Sequence, residues 1–247
     1  MGNDSSIKSV STNDMIDLTI DVSNAEKFKI KKLGSNCDTE TVSIDSEVEC
    51  KKYNDGYWYN QQCNKYEKIP YSDDNLKKSG CGIFAFATLF NSFLSNEYQS
   101  PEAIATKAYE NGVDTSKTRN AFNDLAKIYG LDEPEIIGGY ENDCLGAYKP
   151  EIDKALDDGK KVIVHVQNEY GRDSGKKGYW TKGGHYIVLT GKTDDNKYIV
   201  IDSMSEERTK VPQDADKIFG FEEKMPYAYF AVIFSLTKAD IKNGNTV

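Results

Sequence analysis

Hydrophobic and polar residues alternate early in the chain: Ile16, Leu18, Ile20 and Val22 are separated by Asp17, Thr19 and Asp21, with weaker alternation at Phe28/Ile30 and Val42/Ile44. A period of two is the mark of a half-buried strand. Residues 1–50 are therefore expected to form a small β-rich N-terminal extension, a pro-segment or accessory module. Lys51 to Gly80 carries Tyr53, Tyr57, Trp58, Tyr59, Tyr66 and Tyr71 without periodicity, which predicts a long loop that is too aromatic for disorder. From Ser79, a good N-cap, the run Ile83, Phe84, Phe86, Ala87, Leu89, Phe90, Phe93 and Leu94 is apolar almost all round. That pattern predicts a helix buried inside the domain and ending near Ser95.

Three further helices are predicted, over Pro101–Asn111, Ser116–Tyr129 and Pro150–Asp158, with Ser100 and Pro101 opening the first and Gly130 and Gly159 closing the others. The pattern then turns to β-branched and aromatic runs at Val162–Val166, His185–Thr190, Tyr198–Ile201 and Tyr227–Phe234, separated by turn signals such as Asp194-Asp195-Asn196. Helices followed by strands give an α+β fold with a central helix against an antiparallel sheet. The expected division is 1–50 as extension and 51–247 as the main domain.

Composition narrows the function. The chain has 247 residues, within the roughly 250 that one hydrophobic core can serve. The most apolar run, Ile83 to Phe90, is about half the ~18 residues that a membrane span needs, so no integral membrane segment is expected. With 31 basic against 40 acidic side chains the net charge is −9, which argues against a nucleic-acid partner, since phosphate binding needs a basic face. Lys, Asn, Asp, Ile and Tyr dominate over Arg, Pro and His, a bacterial usage. The five cysteines, Cys37, Cys50, Cys63, Cys81 and Cys144, show no paired spacing, and the only histidines are His165 and His185. No metal site and no cofactor is expected from such a set.

Three residues carry candidate chemistry. Cys81 lies in Ser79-Gly80-Cys81-Gly82 at the start of the predicted helix, where a partial charge of roughly +0.5 favours thiolate over thiol. The flanking glycines keep side chains away from the sulfur; a buried structural cysteine is the plainer reading of position alone. His185 opens a strand after Gly183-Gly184, which suits a general base beside a cleft. His165, internal to Val162-Ile163-Val164-His165-Val166, reads as a satisfied strand histidine. Asp202 ends the next strand, 17 residues after His185, and a hairpin would bring its carboxylate back to the imidazole as an orienting group.

Taken together, "YNQQCNKYEKIPYSDDNLKKSGCGIFAFATLF", "GKKVIVHV" and "GGHYIVLTGKTDDNKYIVIDSMS" resemble the papain-like cysteine peptidases related to bacteriocin-leader peptidases. The resemblance spans about Tyr57 to Ser205. It implies a papain-like fold with a central catalytic helix, Cys81 as nucleophile, His185 as base, Asp202 as orienter, and Gln61 as oxyanion donor with Gln62 the competing choice. The implied activity is hydrolysis of a peptide or isopeptide bond through an acyl enzyme, on a peptide or protein substrate such as a cell-wall peptide. Two other readings use the same sequence: an acyl transferase or deamidating effector with the same triad, and a non-catalytic peptide-binding module.

A secreted or cell-surface location fits a predicted Cys37–Cys50 disulfide closing a loop of about 14 residues, worth roughly 3 kcal/mol; a cytoplasmic location would leave both as thiols. The extension is expected to regulate the cleft, with a spacer as the alternative.

Overall fold

The computed structural model describes residues 10–12, 15–17, 50–53, 56–95, 97–139, 145–168, 170, 175–220 and 228–235. The chain divides into two compact units, Met1–Glu47 and Val48–Val247. In the first, β1 (Val10–Thr12) and β2 (Met15–Asp17) pair antiparallel. The alternation predicted across Leu18 to Val22, the pairs Phe28/Ile30 and Val42/Ile44, and the Cys37 end of the predicted disulfide lie outside the described residues.

The second unit begins with structure where a loop was predicted. An antiparallel hairpin, β3 (Cys50–Tyr53) and β4 (Gly56–Tyr59), is followed by a 3-10 turn at Asn64–Lys68, the two-residue strands β5 (Pro70–Tyr71) and β6 (Asp74–Asn75), and α1 (Leu76–Ser79). Elements of two to five residues are too short to show a period. Their aromatic side chains nevertheless anchor them: Trp58, Tyr59, Tyr66 and Tyr71 are all buried in the same core as the central helix.

That central helix is α2 (Cys81–Leu89), continued as a π-helical turn over Phe90–Leu94 before extended Ser95. Gly80, rather than Ser79, is its N-cap, because Ser79 already closes α1. Every residue from Gly82 to Leu89 is buried, which is why the sequence shows no polar stripe. Next come α3 (Pro101–Glu110), with Ser100 Oγ accepting from the Ala103 N–H at 3.2 Å, and α4 (Ala121–Ile128). Helix α4 starts five residues later than predicted. Asp114 Oδ1 accepts from both the N–H and the hydroxyl of Ser116, at 2.9 and 2.7 Å, and this local turn competes with helix. Helix α5 (Lys149–Asp157) precedes the sheet strands β8 (Lys161–Gln167), β9 (Gly184–Lys192) and β10 (Tyr198–Ile201), then α6 (Glu206–Lys210), α7 (Ala215–Phe219) and β11 (Ala228–Phe234).

The sheet is five-stranded and antiparallel, in the order β10-β9-β8-β11-β7, where the edge strand β7 (Glu135–Gly138) was not predicted. Alternate residues divide between two cores. Ile163, Tyr186, Val188 and Val232 join α2, α3 and α4 on one face. Val162, Val164, Ile187, Leu189 and Ile233 join α5, α7 and Trp180 on the other. The fold is thus a mixed one in which α2 packs on an antiparallel sheet. Among the described residues no helix is long and apolar enough to cross a membrane.

Candidate active site

The β9–β10 hairpin explains how residues 17 apart in sequence meet. Its strands pair Val200 with Leu189 and Ile201 with Val188; continuing that register sets Asp202 opposite Ile187, on the same face as His185 and diagonal to it. His185 Nε2 and Asp202 Oδ1 are 2.7 Å apart, and both side chains are buried, 1% and 0% exposed. Nδ1 of the ring is buried and has no hydrogen-bond partner of regular geometry.

The electrostatics of the pair follow from who surrounds it. Burial is the largest influence and pulls the His185 pKa down, but the charge and hydrogen bond of Asp202 together with the Cys81 thiol outweigh it, and the result is about 9. Burial likewise pushes Asp202 up, and His185, Arg208 and the Met204 N–H bring it below the usual carboxylate range. The Met204 N–H donates to Oδ1 at 2.8 Å, so the carboxylate is bound from more than one side.

Cys81 is the first residue of α2 and is partly exposed. The glycines beside it serve packing rather than openness. A Cβ at Gly80 would stand 2.2 Å from the Leu76 carbonyl oxygen, and one at Gly82 would stand 2.4 Å from Thr115 Oγ1. Gly183, two residues before His185, does face open space, since a Cβ there meets nothing within 4 Å.

Gln61 is buried, whereas Gln62 is exposed. The Gln61 amide is held at both ends: Nε2 donates to the Lys77 carbonyl at 2.9 Å, and Oε1 accepts from Ser203 Oγ at 2.9 Å. Its backbone N–H donates to the Ser203 carbonyl at 3.0 Å, and Trp58 Nε1 donates to the Asp202 carbonyl at 2.7 Å. The end of β4 is thereby fastened to the residues just after β10. His165 lies elsewhere in the sheet, buried between the rings of Tyr186 and Phe230 at 4.8 and 5.1 Å. The structure therefore brings His185 and Asp202 together, with Cys81 acting on the same imidazole, and seats Gln61 against Ser203. Among the described residues, no cluster of His, Cys, Asp and Glu side chains could hold a metal ion.

The family model of the "Peptidase_C39 like family" matches residues 53–231, well over half of the chain. This chain belongs to that family. The matched range includes Cys81, His185, Asp202 and Gln61, and it ties the chain to the papain-like cysteine peptidases. A crystal structure from Bacillus anthracis, provisionally named as a C39-like peptidase, aligns with 69% of this chain and 96% of its own, at 13% identity and a TM-score of 0.43. No curated protein matches this chain.

Arg208 escaped the sequence reading of this C39-like chain. Its Nε donates to Asp202 Oδ2 at 2.6 Å, and Nη1 and Nη2 donate to the carbonyls of Tyr179 and Trp180 at 2.9 and 3.4 Å. The signal was a helix start, Ser205-Glu206-Glu207-Arg208, one turn beyond Asp202. Ser205 Oγ caps it by accepting from the Arg208 N–H at 3.2 Å. Trp58 and Ser203, which bind backbone and amide beside the pair, left no periodic trace.

Proposed function

We propose that residues 51–247 are a cysteine peptidase domain that hydrolyses a peptide bond through Cys81, His185 and Asp202. The observation that carries this reading is the division of labour in the imidazole: Nε2 is bonded to a buried carboxylate, while Nδ1 is left without another partner and the ring feels the Cys81 thiol. An imidazole oriented through one nitrogen can exchange a proton with a thiol through the other.

Cys81 gives its proton to Nδ1, and the thiolate attacks the carbonyl carbon of the scissile bond. The electron pair moves onto the carbonyl oxygen. That oxyanion is stabilised by a backbone N–H at the start of α2 and by the second N–H of the Gln61 amide, whose first is spent on Lys77. The imidazolium then protonates the departing amine, the C–N bond breaks, and an acyl enzyme remains. Water attacks the thioester with Nδ1 taking its proton, the C–S bond breaks, and the acid leaves. Asp202 stabilises the imidazolium in both halves without accepting its proton.

The test is a screen of a peptide library for cleavage by the purified chain, with Cys81→Ala in parallel. Products that appear only with Cys81 present support the reading. Cleavage unchanged in Cys81→Ala, or absence of rapid iodoacetamide labelling at Cys81, rejects it.

A further inference from the structure

We infer that Arg208 is a positioning residue of this site, fixing the Asp202 carboxylate and the backbone entering β9 in one arrangement and sharing the carboxylate's charge with His185. The inference rests on the triad proposed above. Asp202 offers Oδ1 to His185 and to the Met204 N–H, and Oδ2 to Arg208 Nε. The remaining guanidinium donors reach the carbonyls of Tyr179 and Trp180, six and five residues before His185 in sequence. The guanidinium carbon lies over both rings, 5.7 Å from Tyr179 and 5.3 Å from Trp180. A planar cation with fixed donors joins all three acceptors; an ammonium offers one charge at one point and does not reproduce the fork.

Two cations thus share one carboxylate. A like charge disfavours the charged form of its neighbour, so Arg208 holds the imidazolium of His185 less basic than a carboxylate of its own would make it. The other charged groups near this network are committed elsewhere. Glu206, on the same helix, binds Lys51, Tyr53 and Lys210 at 2.6, 2.5 and 3.0 Å, and the Lys217 ammonium sits 5.3 Å from the Tyr179 ring centre. On the thiol side stand Cys81 itself and, acting on the same phenols as Cys81, Asp114 beside Tyr71 and Tyr186.

The experiment follows iodoacetamide alkylation of Cys81, read by mass spectrometry of its peptide, from about pH 4 to 11 in the full chain and in R208Q and R208K. With a Cys81–His185 pair, wild-type reactivity rises in two steps, the upper one as the imidazolium loses its proton. Removing the cation in R208Q should move that upper step up by about one pH unit, a tenfold change in proton concentration. R208K keeps the charge and should leave the step in place. An upper step unmoved in folded R208Q, or moved as far in R208K, overturns the inference. Because the chain holds only two histidines, nitrogen NMR of R208K tests positioning independently of whether R208Q folds. The His185 Nε2–H signal should broaden as the fork is lost, and a signal as sharp as wild type overturns the positioning role. A wild-type Cys81 that titrates in one step like an ordinary thiol overturns the proposed triad itself.

Discussion

His185 and His165 show how the same side chain is assigned two fates by its surroundings. His185 meets a buried carboxylate, and His165 meets two aromatic faces. Substitutions should separate them. Cys81→Ala is expected to abolish cleavage and His185→Ala nearly to do so, whereas Asp202→Asn should be milder because it can still hydrogen-bond the ring. Gln61→Ala should cost about 100- to 1000-fold in turnover. His165→Ala should leave turnover per folded molecule intact and lower only stability; equal damage to turnover at both histidines would reverse the assignment of the base.

The charge state of the site carries a pH signature. His185 is raised from 6.5 to about 9, so its ion pair stabilises the fold fully below pH 6.5 and that contribution is lost as pH rises through 9. Asp202 is depressed, so its contribution is present above the ordinary carboxylate range and is lost as pH falls through its lowered value. Turnover and melting temperature should therefore both decline as pH passes about 9, and Asp202→Asn should move the alkaline decline to lower pH. A wild-type decline centred near 6.5 would contradict the pairing. The meeting of His185 with Asp202 was legible as a strand start and a strand end joined by a hairpin, and Cys81 as a helix start, whereas Gln61 was suggested by the family resemblance alone. Arg208 was not legible, since its role depends on a guanidinium reaching back over a turn to a carboxylate and to carbonyls 29 and 28 residues earlier in the chain.

At the scale of elements, periodic segments read well and short ones did not. Helix α3 and strands β8 to β11 follow from apolar spacing and caps, while the hairpin and turns between Cys50 and Ser79 are held by long-range aromatic packing that no local pattern encodes. The start of α2 adds a lesson about glycine, because Gly80 and Gly82 are demanded by neighbours already in place. Gly82→Ala would press a methyl against Thr115, which itself bonds Tyr71 and Tyr186. Overpacking of this kind typically costs about 1–3 kcal/mol, and a denaturant midpoint lowered accordingly is expected. Gly183→Ala, facing open space, is expected to leave the stability read from that midpoint within about 0.5 kcal/mol of wild type.

At the scale of the whole molecule, both hydrophobic cores are built, among the described residues, from those after Glu47. A chain beginning at Val48 is therefore expected to melt at the same temperature as the full chain. Unchanged melting with altered cleavage would mark the extension as a regulator, unchanged melting and cleavage would mark it as a spacer, and a lowered melting temperature would contradict the independence of the larger unit. The fastening of Trp58 and Gln61 to Asp202 and Ser203 closes a loop of more than 140 residues through the site. Chain segments from opposite ends of the domain must dissociate together for the site to open, so it has no private melting transition. In rising urea, cleavage, tryptophan fluorescence and far-ultraviolet dichroism should vanish along one shared curve, which makes catalysis a direct gauge of the folded population.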